Sequence, residues 1–192
     1  MKRKLLAGFM AVCLILTLLP ATALAAGDDG APTASGVNFF ANGTPITISA
    51  DAPEDGTEVT FDEFTASGQD AYISWDEDGT TKYVGVSRSL GVSVYGGGDG
   101  SAEPVTVSST SITMTGGKVW NVYGGNLGMK DKNAENCSTV TGDVTMQFSG
   151  DAEVWNLLHG GGAFNTCVEG TVYMDFDHAT ELNKPDEDVW PY

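Results

Sequence analysis

The tripeptide Val-Trp-Asn occurs twice in this chain, as Val119-Trp120-Asn121 and as Val154-Trp155-Asn156, each inside a longer repeated unit. "ITMTGGKVWNVYGG" (112–125) is answered by "MQFSGDAEVWNLLHGG" (146–161). Both units hold a short β-prone run, the tripeptide, and a glycine pair entered by an aromatic or imidazole side chain. A weaker copy, "GVSVYGGG" (91–98), precedes them, and "VEGTVYMDF" (168–176) reproduces "VTGDVTMQF" (140–148). The period is irregular, about 28 to 36 residues, which marks a repeat architecture whose units cannot bury an apolar face alone.

Such units gain stability by stacking. Neighbouring strands then pair about 4.8 Å apart and merge their apolar faces into one core. Val140, Val144, Met146 and Phe148 alternate as one inward set, and Val168, Val172, Met174 and Phe176 repeat it. Thr113, Thr115, Thr139, Thr141 and Thr145 suit the outward positions, and the glycine pairs suit corners where side chains would obstruct stacking. The expected fold is all-β, a parallel β-helix (solenoid) over residues 91–180 with an N-terminal β cap module. In it, Val144 to Phe148 lies parallel to Val172 to Phe176, with Met146 beside Met174. A β-sandwich would instead show turn signals every 8 to 12 residues without self-similarity. Tyr95, Tyr123 and His159 share one place ahead of their corners and are expected to form a stacked column, with a ligand-binding row as the alternative. Trp120 and Trp155 are a second repeated pair, expected to fill core or corner space rather than form an outward platform.

The flanking segments have other characters. Residues 1–26 read as an export signal. Lys2, Arg3 and Lys4 precede an apolar run from Leu5 to Leu19, and Ala23-Leu24-Ala25 forms the cleavage box. That run is short for a bilayer span, which needs roughly 20 residues, and no second apolar span follows it. Removal of the signal takes three of nine basic residues and none of 26 acidic ones, moving the formal charge from -17 to -20. So acidic a chain is a poor ligand for nucleic acid or anionic lipid, which require neutralisation by Lys and Arg. Residues 27–90 read as an N-terminal β module: a flexible leader (27–36), a hairpin at Asn42-Gly43-Thr44, a strand from Thr57 to Phe64, and a second hairpin around "DEDGT" (76–80). The acids Asp76, Glu77 and Asp78 lack the spacing that converges oxygens on calcium; a solvated turn is expected. Residues 181–192 read as a C-terminal tail or truncated cap.

Cys137 and Cys167 are separated by nearly the local repeat, so neighbouring turns would bring them within disulfide reach in an exported chain. Reduced buried thiols or metal ligands are the alternatives. Two cysteines alone make no recognisable zinc site, and no metal or cofactor is expected.

The "VYGG(G)" corner after an alternating "xTxTGGxVxxVYGG" run resembles the repeats of large secreted or wall-attached, adhesin-like proteins of gut-dwelling Firmicutes and related Gram-positive bacteria. The matching motif covers Val94 to Gly98, Ile112 to Gly125 and, with His159 in place of Tyr, Phe148 to Gly162. The resemblance implies right-handed parallel β-helical repeats and a secreted or cell-surface structural or adhesion role without catalysis. An extracellular glycan or protein surface is the expected partner, and an open solenoid end, being a sheet edge, offers a place for further copies of the chain unless the C-terminal tail caps it.

Two alternatives stay open. Trp120, Trp155, Tyr95, Tyr123 and His159 suit a carbohydrate-binding surface if they face outward. A polysaccharide lyase or hydrolase would need paired carboxylates across a groove; Asp175 and Asp177, with His178 beside them and Asp143 and Asp151 on another unit, are the best local cluster. The few cations, among them Lys82, Arg88, Lys118, Lys130, Lys132 and Lys184, would hold an anionic polymer poorly. Nucleophile-elbow, phosphate-loop and dinucleotide patterns do not occur.

Overall fold

A computed structural model describes residues 29–64, 69–131, 137–177 and 181–182. The segment read as an export signal (1–26), Lys132, His178 and the residues from 183 onward, Lys184 among them, lie outside these. In chain order the strands are β1 (Thr33–Ser35), β2 (Asn38–Phe40), β3 (Ile46–Ser49), β4 (Thr57–Glu58), β5 (Ala71–Glu77), β6 (Thr80–Val86), β7 (Ser93–Tyr95), β8 (Thr106–Val107), β9 (Thr110–Tyr123), β10 (Ser138–Val140), β11 (Val144–His159), β12 (Thr166–Val168), β13 (Val172–Asp177) and β14 (Glu181–Leu182). Among the described residues helix is confined to two 3-10 turns, Asp62–Phe64 and Arg88–Leu90.

The chain does not form the expected right-handed parallel β-helix with an N-terminal cap. It folds as an open, curled half-barrel built on one mixed sheet of 11 strands, with a second, three-stranded parallel sheet in the order β12-β10-β8. The cause lies in the first half of the chain. Asp78 and Gly79 both take positive φ (52° and 75°), the pairing that a tight two-residue hairpin needs. That turn holds β5 antiparallel to β6, and β5 is also antiparallel to β3. β1 folds back antiparallel on β2. The leader expected at 27–36 therefore contains a strand. Asn42 and Gly43 also have positive φ (51° and 82°), yet β2 and β3 do not pair with each other, so this turn is a corner and not a hairpin.

Where the repeats meet, the sheet is parallel and in register. β11 runs beside β9 with Val144 opposite Thr110, Met146 opposite Ile112 and Val154 opposite Val119. On its other side it pairs with β13, Met146 opposite Met174 and Phe148 opposite Phe176. β3 extends the same ladder on the far side of β9, with Ile46 opposite Ile112 and Ile48 opposite Met114. A second ladder joins β2, β7 and the ends of β9 and β11: Phe40, Tyr95, Tyr123 and His159 are successive partners. β11 exceeds β9 by two residues, absorbed as bulges between Phe148 and Asp151 and between Val154 and Leu157.

The core consists of these ladders. Ile46, Ile112 and Met146 are fully or almost fully buried, as are Ile48, Met114 and Phe148, with Val107 and Val140 of the three-stranded sheet in the same cluster. Alternation along each strand puts every second side chain inside, so Thr47, Thr113 and Gln147 take the outer positions. The core stops at β13. Its six residues are all exposed, including Val172, Met174 and Phe176, whose partners one strand earlier are buried.

Candidate functional site

The ring column contains the three expected residues and one more. Phe40 stacks on Tyr95 with centroids 5.2 Å apart, Tyr95 on Tyr123 at 4.7 Å with 5° between planes, and the His159 ring lies 6.4 Å from Tyr123 at a tilt of 54°. Each ring precedes a corner, and the corners hydrogen-bond to one another. Ala41 N donates to the Tyr95 carbonyl, Gly96 N to that of Tyr123, and Gly124 N to that of His159. A Cβ on Gly124 would run into the Gly160 carbonyl oxygen, so this close approach requires glycine. Burial decreases along the column from Phe40 and Tyr95 to half-buried Tyr123 and exposed His159. Burial raises the pKa of Tyr95 first, with the neighbouring Tyr123 and Asp99 adding to it, and burial also raises that of Tyr123. Phenols kept neutral inside a stack act as packing. Beneath the corners, buried Asn126 accepts a hydrogen bond from Gly98 N at 2.8 Å and fastens consecutive corners together.

The tryptophans do not fill the core. Val119 is buried and alternation turns the next residue, Trp120, outward, as Trp155 follows buried Val154 in the same sense; the alternation then breaks, since Val122, three positions after Val119, is buried too. Both indoles are half-buried on the outer face. Trp155 and Asn156 occupy the second bulge of β11, opposite the single residue Trp120. Bulges re-aim side chains, and this one is held by Asn121. The Asn121 Oδ1 accepts from Leu157 N at 3.1 Å and from Asn156 Nδ2 at 2.9 Å, while its own Nδ2 donates to Ser93 Oγ at 2.9 Å.

Three charged side chains fix the Trp155 ring. The Arg88 guanidinium carbon lies 3.6 Å from its ring centroid, the stacking geometry in which a cation meets the electron-rich face. The indole Nε1 donates to Glu153 Oε2 at 3.0 Å, and Glu153 Oε1 pairs with Lys118 Nζ at 2.9 Å. Arg88 is itself placed by Asp70, whose carboxylate accepts from Arg88 N at 2.8 Å and from Ser87 Oγ at 3.1 Å. The Lys118–Glu153 pair is partly exposed, so it orients more than it stabilises. The result is an outward aromatic ridge whose Trp155 ring has a fixed orientation.

Cys137 and Cys167 form a disulfide with Cα atoms 6.0 Å apart, clamping β10 to β12 beside the Thr139–Cys167 register pair. The carboxylates considered for polysaccharide cleavage have other surroundings. Asp143 Oδ1 accepts from Thr171 N at 2.8 Å as a turn cap, and Asp175 and Asp177 lie on the exposed outer side of β13. Asp76 accepts from Gly79 N at 3.0 Å inside its hairpin turn. Among the described residues no group of three or more His, Cys, Asp or Glu side chains is placed to hold a metal ion, and no helix is long and apolar enough to cross a membrane. A cavity of about 320 Å³ between the first residues described and the corner loops is lined by Asn42, Asp99, Val105 and Val107 among others. Asn42 Nδ2 there is already committed to Ala31 O and Thr33 Oγ1, and Asp99 Oδ1 to Ser101 N.

The sequence pattern assigns no site role to Phe40, Asn121 or Arg88. Phe40 had a signal, because "NFF" before an Asn-Gly corner parallels "SVY" before Gly-Gly. Arg88 had none, since its partner is 67 positions away. No family model, curated protein or solved structure matches this chain. The resemblance to adhesin-like repeat proteins rests on the repeat motifs.

Proposed function

We propose that this is a secreted or cell-surface structural or adhesion-type module without catalytic activity, which presents an outward face of β9 and β11 to an extracellular glycan or protein surface. The observation that carries the proposal is the orientation of Trp120 and Trp155. Two large aromatic side chains on the outside of a rigid, register-locked sheet suit recognition, because little order remains to be imposed when a partner arrives. The Arg88, Glu153 and Lys118 set favours a polar, hydrogen-bonding partner around an aromatic contact. That combination supports the carbohydrate-binding form of the proposal, in which an indole face packs against a sugar ring.

The test is binding of the exported chain to immobilised neutral and acidic polysaccharides and to extracellular-matrix proteins, with Trp155→Ala and Trp120→Ala beside it. Loss of binding in both variants with unchanged folding supports the proposal. Binding indifferent to both, or depolymerisation of a polysaccharide by the unaltered chain, refutes it.

A further inference from the structure

We propose that the tryptophan ridge recognises a carboxylate-bearing sugar, a uronic acid unit of a short or sparsely charged glycan, an inference that rests on the glycan-binding reading above. Trp120 packs against the sugar ring and the Arg88 guanidinium takes the carboxylate.

Arg88 is held at three points, and none of them uses its hydrogen-bonding edge. The guanidinium carbon lies 3.6 Å from the Trp155 ring centroid. The backbone N donates to Asp70 Oδ2 at 2.8 Å, and the carbonyl accepts from Gly91 N at 2.8 Å. A planar cation that close lies against the indole and turns its N–H fork sideways, the disposition that meets a carboxylate with two hydrogen bonds. The carboxylates of the cluster are engaged with other donors. Glu153 accepts from Trp155 Nε1 and pairs with Lys118, and Asp70 Oδ2 accepts from Ser87 Oγ and the Arg88 backbone. Among the described residues the guanidinium therefore has no ion pair, in a chain with 26 acidic residues against nine basic ones. The side chain is half-buried, so its fork is both fixed and reachable.

The same stack decides which indole serves a sugar. Arg88 covers one face of Trp155, whereas Trp120 has neither a ring nor a cation against it among the described residues. Trp120 lies opposite the Trp155–Asn156 bulge on the neighbouring strand, about 4.8 Å away. A sugar ring on Trp120 can bring its own carboxylate, or that of the adjoining unit, to the Arg88 fork. Arg88 and Lys118 balance Asp70 and Glu153, so this patch is neutral while the whole chain stands at -17. An isolated carboxylate is accepted there. A dense polyanion also meets the acidic remainder and is repelled.

The test is titration calorimetry of the full chain with short galacturonate, glucuronate and mannuronate oligosaccharides, each beside its methyl ester, and with neutral oligosaccharides of the same length. Acid and ester share the ring and differ in charge, so their affinity ratio isolates the carboxylate. The expected result is one or more acids bound about tenfold or more tighter than the ester, with the ratio falling to near one in Arg88→Gln. Trp120→Ala weakens acid and ester alike. The turn is held through the Arg88 backbone, so Arg88→Gln keeps it; a merely structural Arg88 would lower both affinities and leave the ratio unchanged. Glu153→Gln retains an acceptor for Trp155 Nε1, removes a negative charge beside the fork and tightens the acid but not the ester, a gain that misfolding does not mimic. Equal binding of acid and ester, or a ratio indifferent to Arg88→Gln, overturns the proposal while glycan binding itself stands. Binding of no acid, ester or neutral oligosaccharide removes both. Acid binding that appears only on removal of residues 183–192 also overturns it, by identifying their carboxylates as the occupants of the fork.

Discussion

Met146 and Met174 are the same residue in the same ladder, paired with each other across β11 and β13, and truncating them separates a closed core from an open one. Met146 is fully buried between Ile112 and Met174. Met146→Ala removes its transfer energy and leaves a cavity walled by neighbouring strands, about 2 to 5 kcal/mol in all. Met174 is 36 % exposed and, among the described residues, has a tier on one side alone. Its truncation forfeits about two thirds of a full side-chain transfer of roughly 1.5 to 3 kcal/mol and creates no enclosed cavity, giving about 1 to 2 kcal/mol. The assay is urea unfolding with the disulfide oxidised, read by tryptophan fluorescence. With a urea slope of about 1 to 3 kcal/mol per molar for a small domain, the midpoint of Met146→Ala falls by about one molar or more. Met174→Ala shifts it by about half as much. Equal shifts, or a larger one for Met174→Ala, refute the reasoning that the core ends at β13.

Reducing the Cys137–Cys167 bridge, whose partners lie 30 residues apart, lowers stability by about 3 to 4 kcal/mol in the chain-entropy account; non-reducing peptide mapping that recovers both thiols free contradicts the bridge itself. Tyr95 stays neutral in the fold because burial raises its pKa, whereas the unfolded phenol ionises near pH 10. Its contribution is complete below that pH and is lost as pH rises further, about 1.4 kcal/mol per unit until the folded phenol titrates. Tyr95→Phe should flatten the alkaline arm of a stability–pH curve, and an unchanged arm counts against the buried column. A chelator leaves the thermal midpoint within a degree or two, since Asp76 serves its own turn. A fall of more than about 10 °C, a shift on the scale of losing more than 1 kcal/mol, directs attention back to the Asp76 to Asp78 loop.

The pairing of repeats was legible from residue order, because Val144, Met146 and Phe148 and their copies Val172, Met174 and Phe176 fix both direction and register once they stack. The architecture was not. Asn-Gly and Asp-Gly permit the same positive φ, but Asn42-Gly43 turns a corner and Asp78-Gly79 closes a hairpin. Turn chemistry describes the turn, while the partner of each strand is set by distant apolar faces. The strands of the first half are short, β2 and β3 having three and four residues, and too brief to show a repeat, yet they carry the first tier of both ladders. For Trp120 and Trp155, repetition said nothing about direction. The preceding residue is the better guide: Val119 and Val154 are buried, so alternation turns Trp120 and Trp155 outward, although buried Val122, three positions after Val119, shows that the alternation breaks within β9. The Arg88 stack on Trp155 depends on Asp70 holding a 3-10 turn against the sheet, a tertiary arrangement with no local signature.

The central claim is that the repeated segments lie in parallel register, with their apolar rows in one core that ends at β13 and their tryptophans outside. Backbone nuclear Overhauser contacts in the isotopically labelled chain test it most directly. The account predicts parallel cross-strand contacts linking Ile112 to Met146 and Met146 to Met174, with those from Val144 to Phe148 advancing in the same direction as those from Val172 to Phe176. Antiparallel contacts between these segments, or their placement in separate sheets, would contradict it, and the outward tryptophan ridge would fall with it.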